Sequence, residues 1–89
     1  MADKYIELSV ANIELIAKAL NLLEAAWKKS NNRYKELAWL DTLRFEIIAE
    51  QKIGVVDISF LLRSLDKSEQ FKLEAKIRSI AETQAIKVA

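Results

Sequence analysis

Ser9 to Lys29 reads SVANIELIAKALNLLEAAWKK, and the period of its apolar residues decides the fold class. Ile13, Ile16, Leu20, Leu23 and Trp27 recur at alternating spacings of three and four, which places them on one side of a helix turning every 3.6 residues. Ile6 continues that stripe upstream, so the helix is expected to begin near Asp3 or at Ser9 and to run to Lys29. A second row of Leu8, Leu15 and Leu22, with Ala19 and Ala26 beside it, widens the apolar arc beyond half the circumference. Only Glu7, Glu14, Lys18, Asn21 and Lys28 are left for water. The pairs Glu14 to Lys18 and Glu24 to Lys28 add helix-supporting attractions of a few tenths of a kcal/mol each.

Working outward, Ser30, Asn31 and Asn32 mark a turn, and Asn32 is the expected N-cap of a second helix from Arg33 to Lys52. Its expected core residues are Tyr34, Leu37, Leu40, Phe45, Ile47 and Ile48, with Ala38 and Leu43 at the margins. Gly54, the single glycine, is expected to end that helix in a left-handed conformation. Val55 and Val56 are too few to make a sheet. Asp57 then reads as the cap of a short helix from Ile58 to Leu65, with Val56 stapled onto Leu61. Asp66-Lys67-Ser68-Glu69 has capping-box spacing and is expected to open a fourth helix, an uninterrupted helix from Ile58 onward being the alternative. The last helix carries a narrow stripe of Leu73, Ile77, Ile80 and Ala81, flanked by Glu74 and Arg78. The expected architecture is an all-α single domain over residues 1–89, a bundle of three to four helices.

Composition sets limits on function. With 52% apolar and 30% charged residues the chain can bury a core, and 14 basic against 13 acidic side chains leave no global field to attract nucleic acid. Histidine and cysteine are both absent, which removes the commonest general base, thiolate nucleophiles and the usual zinc ligands. One glycine cannot build a glycine-rich phosphate loop. No enzyme activity, metal or cofactor is therefore expected. Charges interrupt every apolar run well short of the roughly 18 residues a membrane span needs, and the acidic start does not resemble a signal peptide. A soluble, cytoplasmic protein follows as the expectation.

Five places could carry function. Ile53-Gly54-Val55 with Arg63 downstream has the centre of a helix-turn-helix, but the residues that would read bases include Ile58, Phe60, Leu61 and Leu62, which belong in a core. Lys28, Lys29, Arg33 and Lys35, framed by Trp27 and Tyr34, form a basic loop able to hold an anion or nucleic acid. The plainer reading is that Lys28 and Lys29 complement the negative end of the first helix. Asp41 and Arg44, three residues apart, form either a structural ion pair or a charged patch facing a partner. Glu46 and Glu50 share a face but lack the histidines that complete helical-bundle metal sites. Trp39 lies on the polar side of the second helix and is a candidate interface anchor.

An arc as wide as that of the first helix needs covering, so a protein–protein interaction module is the favoured reading, as a homodimer or bound to another helical protein. Its expected interface comprises Leu8, Leu15, Leu22, Trp39 and Leu43. Nucleic-acid or anion binding through the loop at 27–35 is the alternative, and no membrane partner is expected.

Overall fold

Ser9 stands in extended conformation (φ −76°, ψ 166°), and its side chain accepts from the Asn12 amide at 3.2 Å, which opens helix α1 (Val10–Trp27). We describe a computed structural model for residues 4–29 and 32–88, with side chains through residue 83. Asp3, the alternative helix start, and the turn residues Ser30 and Asn31 lie outside the described residues. α1 buries Ile16, Leu20, Leu23 and Trp27 of the stripe its spacing predicts together with Ala19 from beside the second row, and Ile13 and Leu15 pack at the edge.

Ile6 and Leu8 are buried too, but ahead of the helix. Tyr5–Glu7 forms strand β1, paired antiparallel with β2 (Lys52–Gly54) in the register Tyr5 to Gly54, Ile6 to Ile53 and Glu7 to Lys52. The Leu8 amide donates to the Gln51 carbonyl at 2.8 Å and the Val55 amide to that of Lys4 at 3.0 Å, which extends the ribbon at both ends. Val55 and Val56 stay outside the strands, as expected; the corrections are that Lys52 and Ile53 pair as a strand instead of closing the second helix, and that Ile6 belongs to the ribbon and not to α1. Each strand has three residues, too short for alternation to register, and the pairing joins distant parts of the chain. Glu7 and Lys52 are cross-strand partners, and the Lys52 ammonium sits 4.4 Å from the centre of the Tyr5 ring.

Helix α2 spans Tyr34–Glu50 and differs from expectation at both ends. Its N-cap is Arg33, not Asn32, and the Arg33 side chain makes no capping hydrogen bond. It ends on Gln51 in the left-handed region (φ 54°, ψ 39°), with the Gln51 amide donating to the Ile47 carbonyl. Gly54 is not that stop: it is extended (φ −67°, ψ 145°), closes β2 and precedes α3 (Val55–Lys67). The glycine serves close approach instead. A Cβ there would stand 3.2 Å from Asp57 Oδ2. Asp57 consequently lies in the first turn of α3 rather than capping it, and Val56, 81% exposed, does not staple onto Leu61.

Asp66 lies inside α3, so the capping-box reading fails, and so does the uninterrupted helix. The Glu69 amide donates to the Asp66 carbonyl at 3.1 Å and the Gln70 amide to that of Leu65 at 2.9 Å. With Glu69 at φ 60°, this is a Schellman closure in which glutamate takes the position glycine usually fills. Helix α4 (Phe71–Val88) follows and seals the core with Leu73 and Ile77, while Arg78 meets Glu74 at 2.7 Å. α1 packs on α2, α3 packs on α4, and α4 returns against α1 and β1. The result is a small helical bundle with a two-stranded ribbon on one side. Among the described residues no helix is long and apolar enough to cross a membrane.

The largest departure is the face that α2 buries. Leu40, Leu43 and Ile47 enter the core, whereas Tyr34, Phe45 and Ile48, expected there, are 71%, 74% and 62% exposed. Leu37 packs only at the edge. At about 100° per residue the two sets lie nearly opposite one another on the wheel. The helix has two apolar faces, and the bundle uses one.

Candidate functional site

The expected interface residues do not come together on one surface. Leu8 and Leu43 belong to the chain's own core, Leu15 is half-buried, and Leu22 is 40% exposed. Burial withdraws Leu8 and Leu43 from any contact with another molecule. In their place, the outer side of α2 presents Tyr34, Ala38, Asp41, Phe45 and Ile48 at spacings of four, three, four and three. That is the periodicity of a helix seam. Asp41 is the single charge in the row, and its Oδ1 lies 3.1 Å from Arg44.

Arg44 clamps α2 to α1. One guanidinium nitrogen meets Asp41 and lies 3.5 Å from Glu24, while the other donates to Asn21 Oδ1 at 3.1 Å. The Asp41 and Arg44 pair is thus joined to two residues of α1, Asn21 and Glu24.

The basic loop is partly engaged as well. Lys28 lies 3.9 Å from Glu24, and the Arg33 guanidinium sits 5.8 Å from the centre of the Trp27 ring. Lys29 is exposed, and Lys35 lies on the side of α2 that faces α3. Glu50, expected on a shared acidic face with Glu46, is 3.8 Å from Lys52.

Trp39 is half-buried. Its indole Nε1–H donates to Asp57 Oδ1 at 3.1 Å, and its ring meets Phe60 edge-on, with centroids 4.8 Å apart and planes at 76°. α3 therefore covers part of the anchor proposed from the sequence. Around the pair opens a cleft of about 330 Å³, lined by Lys35, Glu36, Trp39, Val56, Asp57 and Phe60. Glu36 Oε2 is buried and has no hydrogen-bond partner among the described residues. Sequence reasoning found Trp39 through its place on the wheel. It missed Glu36, Val56 and Phe60, because nothing local signals that the start of α3 lies against the start of α2.

No protein-family model, curated protein or solved structure matches the chain.

Proposed function

We propose that this chain is a small, soluble, cytoplasmic interaction module without catalytic activity, which works by pairing the outer face of α2 with a helix of a second copy or of another helical protein. The observation that carries this reading is the exposure of Tyr34, Phe45 and Ile48 in one row. Side chains of this size present roughly 150 to 250 Å² when fully open, so the three leave about 400 Å² of apolar surface uncovered. That is on the order of half of one side of a standard interface. The alternating spacing suits an α-helical partner, whose own ridge can run along the seam. Asp41, held by Arg44, supplies a polar mark in the row that favours some registers over others.

The test is mass in solution. Light scattering after gel filtration at micromolar concentration should give about twice the 10.2 kDa chain mass. Phe45→Glu combined with Ile48→Glu should return it to the chain mass while leaving helicity intact, since neither side chain enters the core. A monomeric wild type whose outer-face amide signals also stay fixed when co-purifying proteins are added back would overturn this reading.

A further inference from the structure

The outer row of α2 is symmetric about its own midpoint. Asp41 stands at the centre, with Tyr34 seven residues before it and Ile48 seven after. Ala38 lies three before and Phe45 four after, and along one edge of the row Lys35 lies six before and Glu46 five after. We infer that the occupant of this face is a second copy of the same chain, its α2 running antiparallel, with the twofold axis at Asp41. The inference rests on the α2 pairing proposed above and adds the partner, its direction and its register.

A twofold axis brings each residue opposite the one equally far on its other side. Here it sets Tyr34 against the partner's Ile48 and Phe45 against the partner's Ala38, so that the most exposed ring meets the smallest side chain of the row. The single-residue mismatches amount to about 1.5 Å along the helix, which side chains absorb. Both open faces are covered in one step. Together they supply about 800 Å² of apolar surface, and the polar edges bring the total toward the low end of specific interfaces at about 1,200 Å².

Charge points the same way. Lys35 and Glu46 are about 20° apart around the helix and therefore share an edge. Among the described residues neither takes part in an ion pair. Antiparallel pairing sets each Lys35 beside the partner's Glu46, two attractions per dimer, and opposes the two helix dipoles. Parallel pairing sets lysine beside lysine, glutamate beside glutamate and ring beside ring, with a gap at Ala38. Asp41 meets its twin at the axis, but each carboxylate is held by its own Arg44 at 3.1 Å, which leaves the centre without net charge. An unrelated helix would not require a row symmetric about its middle.

The chain has no cysteine, so introduced ones report direction cleanly. Under mild oxidation the full chain carrying Asp41→Cys should cross-link to itself at the axis, and Tyr34→Cys alone should not. An equimolar mixture of Tyr34→Cys and Ile48→Cys should form the mixed dimer. Charge reversal tests the edge without touching the row. Lys35→Glu and Glu46→Lys should each weaken dimerisation by about tenfold at low salt, and the two together in one chain should restore it. That restoration separates recognition from damage to the fold. Self-linking of Tyr34→Cys, or single reversals without effect on the dimer, overturns the antiparallel register. A wild type that stays monomeric, yet binds another protein through Phe45 and Ile48, overturns the second copy and leaves the α2 reading standing. A dimer that survives Phe45→Glu with Ile48→Glu overturns both.

Discussion

α1 and α2 are 18 and 17 residues long and pack against each other, yet they distribute their apolar side chains differently. α1 buries one continuous stripe, from Ile16 to Trp27, and of its second leucine row leaves Leu15 half-buried and Leu22 40% exposed. α2 divides its apolar side chains between two opposite rows, of which Leu40, Leu43 and Ile47 are inside and Tyr34, Phe45 and Ile48 outside. Hydrophobicity alone therefore does not decide what is buried here. Neighbours decide: α2 packs against α1 and the ribbon on its inner side, and Arg44 adds contacts to Asn21 and Glu24 of α1.

The comparison is sharpened most by truncating one residue from each row. Ile47→Ala should cost about 2 to 5 kcal/mol in urea-induced unfolding, as should Leu20→Ala on α1, because each removes several methyl groups from a fully buried site. Phe45→Ala, although it deletes a larger side chain, should change the stability of the isolated chain by less than about 0.5 kcal/mol. A large loss at Phe45 in dilute, monomeric protein would mean that the outer row is not free, and the contrast between the rows would fail.

The same contrast explains what could be read from the residues. α1 is legible because its stripe is continuous and Ser9 is a strong cap. α4 is legible because Leu73, Ile77, Ile80 and Ala81 recur at the right spacing with Glu74 and Arg78 beside them. α2 is legible as a helix, but its two rows are equally good candidates for the core, and only the packed partner distinguishes them. The ribbon is hidden because Ile6 and Ile53 meet across the length of the chain with no local pattern to announce it. Glycine misleads at position 54, since the left-handed positions belong to Gln51 and Glu69, residue types that carry no such signal. In the cleft, Trp39 stood out by its place on the wheel. Its companions Glu36, Val56, Asp57 and Phe60 come together only once α3 is laid beside α2.

The end of α2 offers a smaller effect. A residue with a Cβ in the left-handed region is disfavoured by roughly 1 to 2 kcal/mol, and Gln51 occupies it at φ 54°. Gln51→Gly should therefore stabilise the chain by about 0.5 to 1 kcal/mol, part of the relief being offset by the greater freedom of glycine in the unfolded state. Its carbonyl still accepts from Leu8, so the ribbon should persist in the amide spectrum. A loss of stability would show that the Gln51 side chain holds the junction in a way its backbone geometry does not reveal.

The smallest effect belongs to the clamp that sets the two rows apart. Arg44 and Glu24 have side chains 27% and 29% exposed, whereas Asp41 is 71% exposed, so water screens the contact with Asp41 more strongly although it is the shorter one. Double-mutant cycles in urea should give a coupling of about 0.2 to 1 kcal/mol between Arg44 and Glu24, and a smaller one between Arg44 and Asp41. Both should shrink when salt is raised to 1 M. Arg44→Ala should lower stability only modestly and leave Ile47 and Leu43 protected from hydrogen exchange, because the inner row, once packed, keeps α2 in place without the ion pair. If Arg44→Ala instead exposes the inner row and protects Phe45 and Ile48, the two faces of α2 are close in free energy. The clamp, rather than the core, would then be choosing between them.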